Sequence, residues 1–332
     1  MFFITLISGI LITISSNSWL SAWMGLEINL LSFIPIMSNK ENIFTTEASL
    51  KYFLIQALAS SVLMFIIISK SLFESMFSII SQYITNIMVV SPLLMSTGAA
   101  PLHWWFPSVM EGLSWMNCFN LMTIQKIAPL MLISYTIKLN MFLYSIIVTS
   151  VLIGSIGGYN QVSIRKILTY SSINHIGWMF AAMLMGEDMW IMYFLIYTLL
   201  TLTIIYIVKP MQISFINQIM FMFLENKIIK FLMFTSLLSL GGLPPMLGFM
   251  PKWIIIQYLT HNSHILISTI MVTLSLITLY YYLRITYSSF ILLNSQPTWI
   301  TSVSKNDPNM ISIMLTSLSM FGLLGSMICF NY

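Results

Sequence analysis

Gly241-Gly-Leu-Pro-Pro-Met-Leu-Gly-Phe-Met-Pro251 interrupts an apolar stretch that runs over residues 229–258. Gly98-Ala-Ala-Pro-Leu-His-Trp-Trp-Phe-Pro107 interrupts residues 85–113, and its Pro101 and Pro107 have the same spacing as Pro245 and Pro251. Proline lacks the backbone N–H and clashes with the preceding helical turn. We therefore predict two helices broken midway, with breaks formed by Gly98, Pro101, Gly241, Gly242, Pro244, Pro245 and Pro251.

The composition around these stretches is that of a membrane protein. Of 332 residues, 58% are hydrophobic and only 7% are charged, whereas soluble proteins carry roughly 25% charged residues. The net charge of +4 is small and dispersed, which argues against nucleic-acid binding. The two cysteines, Cys118 and Cys329, lie far apart in apolar runs and have no metal-ligand or disulfide spacing.

A membrane-spanning helix needs about 20 mostly apolar residues, and the sequence divides into about eleven such segments. These are residues 2–17, 20–38, 49–69, 85–113, 116–138, 141–158, 166–185, 189–208, 229–258, 264–287 and 310–330. The sequence thus predicts an all-α polytopic membrane protein.

Basic residues lie mainly in alternate loops, on the side that holds the N-terminus. That side carries Lys40, Lys51, Arg165, Lys166, Lys209, Lys227, Lys230, Arg284 and Lys305, whereas the other carries Lys70 and Lys138. By the positive-inside bias, the N-terminus faces the matrix or cytoplasm and the C-terminus the opposite side. Phe2-Phe3-Ile4 follows Met1 without a basic presequence, which is typical of a protein made inside an organelle.

The two broken helices are each the fourth of five. This predicts two five-helix repeats, residues 1–138 and 139–287, followed by a loop and a C-terminal helix over 288–332. Because five is odd, the second repeat is inverted relative to the first. Inverted repeats with broken helices in matching positions are typical of ion and solute transporters, and the alternative is a pair of kinks needed only for packing.

Several ionisable residues fall inside the predicted spans. A charge at the bilayer centre costs about 2.5–3.5 kcal/mol or more, so each is a functional candidate. Histidine titrates near neutral pH, and desolvation brings lysine and carboxylate groups towards that range. The candidates for a proton pathway are Glu27, Lys126, Lys252, His175 and His103.

Polar residues recur at helical spacing near these groups, with Tyr52, Gln56 and Ser60 on one stripe and Tyr170 and Asn174 on another. Such stripes could hold water between titratable groups. For Glu27, Lys126 and Lys252 the alternative is a structural role between helices, and for His175 a satisfied contact histidine is an equal alternative.

Motifs for soluble chemistry are absent from the sequence. There is no glycine-rich nucleotide or phosphate loop and no His/Cys cluster, so we expect no bound nucleotide, flavin, haem, iron–sulfur centre or metal.

Motifs spread over most of the chain resemble one known family. They are Trp23-Met-Gly-Leu-Glu27, Glu47-Ala-Ser-Leu-Lys51, Gly98-Ala-Ala-Pro-Leu-His103, Gln125-Lys-Ile-Ala-Pro129, Tyr170-Ser-Ser-Ile-Asn-His175 and the Gly241–Trp253 stretch. Together they resemble the antiporter-like membrane-arm subunits of respiratory complex I, the NADH:ubiquinone oxidoreductase, in the form found in arthropod mitochondria.

The resemblance implies a subunit that translocates protons across the mitochondrial inner membrane while other subunits transfer electrons from NADH to ubiquinone. It implies that the chain has no redox centre or NADH site of its own, and that its partners are other membrane-arm subunits and lipids. By position, Glu27 matches the family's carboxylate, Lys126 its central lysine and Lys252 the lysine of the second broken helix.

One position departs from the family pattern. Ser96 stands where the family has a lysine that pairs with the carboxylate. Either the charge pair is altered here, or a codon that arthropod mitochondria read variably was translated wrongly. Two other functions stay open from the residues alone: a stand-alone proton-coupled transporter, and a membrane-arm subunit that no longer pumps.

Overall fold

The computed structural model describes residues 1–39, 42–73, 79–136, 141–216, 218, 227–287 and 310–330. Lys40, Lys138 and Lys305, the predicted boundary at 138/139 and the predicted loop after Tyr287 lie outside the described residues, as do the side chains of Lys227 and Cys329.

Helices make up almost all of the described chain. They are α1 Phe2–Ser15, α2 Trp19–Met37, α3 Ile43–Phe73, α4 Ile79–Thr97, α5 Trp105–Gly112, α6 Trp115–Met122, α7 Ile124–Thr136, α8 Met141–Tyr159, α9 Ile164–Met183, α10 Glu187–Val208, α11 Lys227–Gly241, α12 Phe249–His261, α13 Ile265–Tyr287 and α14 Met310–Phe330. Pairing of extended backbone is limited, within the described ranges, to one bridge between Ser163 and Phe215.

Among these, five helices are long and apolar enough to cross a bilayer by length and composition, and four shorter ones are apolar. Their outward faces carry large apolar side chains, such as Leu54, Phe65 and Leu266, which are 65%, 73% and 70% exposed. So much exposed apolar surface is unfavourable in water but favourable in contact with lipid. The expectation of an all-helical membrane protein is confirmed at this level, and the count of eleven crossings stays a prediction.

Several predicted spans have other bounds in the structure. The predicted span 49–69 lies within a longer helix, α3, which begins six residues earlier at Ile43 and ends four residues later at Phe73. The predicted span 116–138 is divided at Thr123 into α6 and α7. There the Thr123 hydroxyl donates to the Phe119 carbonyl (2.7 Å), a back-bond that bends helices.

The chain divides into two compact units, residues 1–150 and 151–332. In the first unit α1 and α2 approach very closely: a Cβ atom added to Gly25 would lie 2.9 Å from the Gly9 carbonyl oxygen. Helix α3 packs against α2, α4 and α5, and α7 packs against α4 and α1.

Helix α9 forms the centre of the second unit. Its residues 171–182 are all buried, as in a helix surrounded on every side by others. Helices α10, α12 and α13 pack against it, and α11 packs against α10, α13 and α14. The prediction that the two units are inverted repeats is not tested by these contacts.

Serine and threonine hydroxyl groups inside the helices donate hydrogen bonds to backbone carbonyls of their own helix. Buried Ser32, Ser150, Thr203 and Ser236 each donate to the carbonyl three residues earlier, at 2.6–2.9 Å. This removes the cost of an unpaired donor in an apolar medium.

We expect Gly25→Val to destabilise the packing of α1 on α2, because its side chain would meet the backbone of Gly9 and Thr13. Overpacking of this kind costs about 1–3 kcal/mol. A lower midpoint of thermal aggregation in the detergent-extracted protein measures the effect. The neighbouring Met24→Val lies on an exposed position and is the control; equal midpoints for both variants would contradict the expectation.

Candidate functional site

Both broken helices end in the same backbone motif. Helix α4 ends at Thr97, and Gly98 adopts φ +71°. Its N–H donates to the Met95 carbonyl and the Ala99 N–H to the Leu94 carbonyl, at 3.3 and 3.1 Å. This is the Schellman cap, which requires a left-handed residue and therefore favours glycine.

Helix α11 ends in the same way. Gly242 adopts φ +83°, its N–H donates to the Ser239 carbonyl at 3.1 Å, and the Leu243 N–H donates to the Leu238 carbonyl at 3.4 Å. Gly242 is thus the counterpart of Gly98, and Pro245 holds the position of Pro101. Helices resume at Trp105 and at Phe249.

Side chains donate hydrogen bonds to carbonyl groups in the last turn before the first break. The Trp105 indole Nε1 donates to the Met95 carbonyl at 3.0 Å, and the Gln56 amide Nε2 on α3 donates to the Ser96 carbonyl at 3.1 Å. The Ser96 hydroxyl donates to the Leu93 carbonyl at 2.8 Å. The break is therefore closed by hydrogen bonds within the first unit.

At the second break a charged group takes this capping role. The Lys252 Nζ on α12 donates to the Gly241 carbonyl at 3.0 Å, and a Cβ atom on Gly242 would lie 3.1 Å from the same nitrogen. Lys252 is only 6% exposed. The partial negative charge of a helix C-terminus stabilises such an ammonium group.

An aromatic ring lies between Lys126 and the first break. Lys126 is 2% exposed, and its Nζ lies 4.5 Å from the centroid of the Phe106 ring, a cation–π distance. Phe106 in turn packs against Gly98. A buried lysine thus lies near each break: Lys126 at the first and Lys252 at the second.

A chain of buried polar side chains runs beside Lys126. The Tyr52 hydroxyl donates to Gln125 Oε1, and Gln125 Nε2 donates to Asn29 Oδ1, both at 3.1 Å. These three residues border a cavity of about 30 Å³ together with Gln56, Ser60 and Ser96. A polar cavity of this volume has room for one or two water molecules.

The predicted stripe of Tyr52, Gln56 and Ser60 thus lines a cavity. Sequence reasoning missed Asn29 and treated Gln125 only as part of a motif. The signal was available in part, because an amide beside an intramembrane lysine needs hydrogen-bond partners of its own.

Glu27 is separate from this network. Its Oε2 is buried and, among the described residues, receives no hydrogen bond. The ion pair between Lys51 and Glu47 on α3 is exposed, and nothing in the described chain forms an ion pair with Glu27. The structure joins neither Ser96 nor Lys126 to Glu27 by a polar contact.

His175 is part of a buried aromatic group in the second unit. Its Nδ1 lies 2.8 Å from the Tyr193 hydroxyl, and its ring centroid lies 5.1 Å from that of Tyr197. On the same helix, Asn174 Oδ1 and Trp178 Nε1 are buried and make no hydrogen bond within the described chain. The Lys252 Nζ lies 5.9 Å from the Trp178 ring centroid.

The hydroxyls of Tyr197 and Tyr282 interact with Ser172 and Ser171, but these contacts fall short of hydrogen-bond geometry. Buried tyrosine hydroxyls with such incomplete hydrogen bonding are sites for ordered water.

His103 differs from the other candidates. It is partly exposed between α4 and α5, and its Nδ1 lies 3.2 Å from the Pro101 carbonyl oxygen. Among the described residues, no three His, Cys, Asp or Glu side chains are grouped as a metal site.

Comparison with known proteins identifies relatives of the whole chain. Residues 16–278 match the model of the NADH:quinone oxidoreductase/Mrp antiporter membrane family. NADH-ubiquinone oxidoreductase chain 2 of Anopheles gambiae is 53% identical, over 97% of this chain and 95% of that relative. The same protein of Locusta migratoria is 45% identical, over 100% and 96%. The resemblance predicted from the motifs is confirmed.

Solved structures share the fold at lower identity. A chain of respiratory complex I from Thermus thermophilus superposes with a TM-score of 0.81 at 21% identity, over 97% of this chain and 78% of that one. A chain of the Mrp complex from a Dietzia species gives a TM-score of 0.79 at 14% identity, over 98% and 75%.

We expect Gly242→Ala to destabilise the backbone at the second break. Gly186→Ala should destabilise its own surroundings less. Both glycines have positive φ, +83° and +146°, so both substitutions strain the backbone. Only at Gly242 does the added Cβ meet Lys252, since nothing lies within 4 Å at Gly186. Limited proteolysis of the extracted protein measures the difference, and equal cleavage rates would contradict it.

Proposed function

The chain belongs to the NADH:quinone oxidoreductase/Mrp antiporter membrane family, and from this we propose that it is a proton-translocating, antiporter-like subunit of NADH:ubiquinone oxidoreductase. The observation that carries the proposal is the placement of Lys126 and Lys252, each buried and each at the break of a membrane helix. Buried lysines are costly in a membrane, so their position at a break supports a function in transport.

Lys126 is suited to exchange a proton because its side chain is buried, at 2% exposure, inside the membrane region. Its ammonium group lies over the Phe106 ring, which stabilises a cation without supplying an oxygen that would bind the proton. The next residue along the chain, Gln125, lines a cavity with space for water, and we propose that water from this side of α7 reaches Lys126 to accept or deliver the proton. In such an exchange the Nζ–H bond breaks and the proton forms a bond to a water oxygen.

In the second unit Lys252 and His175 offer the same chemistry. Lys252 holds its proton against the Gly241 carbonyl, and His175 shares a hydrogen bond with the Tyr193 hydroxyl. Unsatisfied Asn174 Oδ1 lies on the helix that carries His175, and it would orient water there. We assign the proton pathway to Glu27, Lys126, Lys252 and His175, with His103 at its partly exposed edge.

Electron transfer would take place on other subunits. We propose that this chain binds no nucleotide, flavin, haem or cluster, and that it couples to the redox reaction through contacts with neighbouring membrane-arm subunits. Its place is the mitochondrial inner membrane, with lipid against its apolar faces. We propose that the N-terminus lies on the matrix side, as the distribution of basic residues indicates.

Replacing Lys126 by methionine keeps the side-chain volume and removes the exchangeable proton. We expect Lys126→Met to lower proton translocation by roughly a hundredfold, the scale of a lost proton-transfer group, while assembly is kept. The measurement is proton uptake per NADH oxidised by the complex in sealed vesicles. Exposed Lys209→Met is the control, and normal uptake in assembled Lys126→Met enzyme would assign Lys126 a structural role.

We also propose that Glu27 functions without a basic partner. Ser96 fits its helix, since its hydroxyl and carbonyl are both hydrogen-bonded. We expect Glu27→Gln to assemble normally, because the substitution removes the charge of a carboxylate whose Oε2 is buried without a hydrogen bond from the described residues, and to lower proton translocation at least about tenfold. The same proton-uptake measurement serves here.

Glu47→Gln removes the carboxylate of an exposed ion pair and provides the control, since such pairs contribute little. Peptide mass spectrometry of the native chain tests the premise. A mass that requires lysine at position 96 would contradict the proposal of an unpaired Glu27.

A further inference from the structure

Helix α7, which carries Lys126, is separated from the helix before it. Thr123 leaves helical geometry with φ −118° and ψ −76°, and the Lys126 N–H donates to the Thr123 carbonyl three residues earlier, at 3.0 Å. Pro129 supplies no N–H for the Gln125 carbonyl. The rotation of α7 about its axis is therefore not dictated by α6.

Gln125 connects α7 to two other helices just after this break. Its Nε2 donates to Asn29 on α2 and its Oε1 accepts from Tyr52 on α3. All three residues are buried, with 8%, 4% and 3% of their surface exposed. For polar groups so deeply buried, losing a partner is costly, so the two hydrogen bonds favour one geometry of the bridge.

Gln125 and Lys126 are adjacent and therefore point about 100° apart around the helix. Gln125 faces α2 and α3, whereas the Lys126 Nζ faces the Phe106 ring on α5. A rotation of α7 by 20° would carry the end of a side chain through about 2 Å, given the radius of a helix with its side chains. Fixing the direction of the Gln125 side chain thus also fixes the direction of Lys126.

We propose that Gln125 is a positioning residue: by bridging Asn29 and Tyr52 it sets the rotation of α7 and holds the Lys126 ammonium group where it exchanges protons. The proposal rests on the proposed function of Lys126. Neither amide of the bridge is a proton carrier in its own right, so the role of the bridge is to orient the lysine.

The test is Gln125→Leu in the assembled complex, reconstituted in sealed vesicles. We expect proton uptake driven by NADH to become about tenfold slower, since a displacement of the order of 1 Å can slow a reaction even more. We also expect a larger solvent deuterium isotope effect, because proton transfer at the misplaced lysine then limits the rate. A loss of packing alone would not raise that isotope effect.

Asn117→Leu is the matched control. Asn117 lies on α6, on the other side of the Thr123 break, and its Nδ2 donates to the Ile36 carbonyl of α2 at 2.9 Å. The substitution removes one amide hydrogen bond between helices without touching α7. We expect a normal isotope effect in this variant.

A length exchange keeps the proposal testable if the leucine variant fails to assemble. Gln125→Asn shortens the bridge by one methylene, and Asn29→Gln restores that methylene from the other side. We expect Gln125→Asn to slow proton uptake and the double variant to regain part of it, since the exchange restores the hydrogen bond to α2 but not the one from Tyr52. No recovery in the double variant, or a normal rate and isotope effect in assembled Gln125→Leu, would overturn the proposal.

The outcome also separates the two levels of inference. Normal proton uptake in Lys126→Met enzyme would remove the proposed function of Lys126. Impaired Lys126→Met enzyme together with normal Gln125 variants would leave that function in place and remove only the positioning role.

Discussion

The structure depends on one constraint: inside a bilayer, a backbone carbonyl or N–H has no water to bind. An unbroken helix satisfies this automatically, whereas a broken one exposes several carbonyls at its end. Helices α4 and α11 meet the constraint with the same glycine cap at Gly98 and Gly242. Side chains add further donors to the carbonyls of these last turns: Trp105 and Gln56 in one unit and Lys252 in the other. The functional groups are thus gathered where the backbone requires donors.

Lys126 and Lys252, the lysines near the two breaks, are stabilised by different interactions. Lys252 binds a helix-terminal carbonyl directly, so its proton is part of the cap. Lys126 lies over an aromatic ring, and the backbone near it is closed by other donors. A neutral Lys252 would still donate a weaker hydrogen bond to Gly241, and the cap of α11 would loosen. Lys126 can lose its proton without that cost to the first break.

Much of the fold could be predicted from the sequence, because apolar length and paired Gly/Pro stretches act locally. The stripe of Tyr52, Gln56 and Ser60 was visible for the same reason, since helical spacing alone places these side chains on one face. The break at Thr123 was not predicted, because threonine is common within membrane helices and only its hydrogen bond to Phe119 reveals the bend. The bridge from Gln125 to Asn29 joins residues 96 positions apart, and no local pattern specifies such a pairing.

The break at Thr123 gives the amide bridge its importance. In a continuous helix, the packing of residues before Thr123 would set the direction of every side chain after it. The interruption at Thr123 removes this restriction. The helix before Thr123 then no longer sets the direction of the Lys126 side chain, three residues further on. Gln125 restores a single orientation through partners on two other helices. A membrane helix can therefore change direction close to a charged residue and still present that residue at one place, provided that a neighbouring amide fixes the rotation.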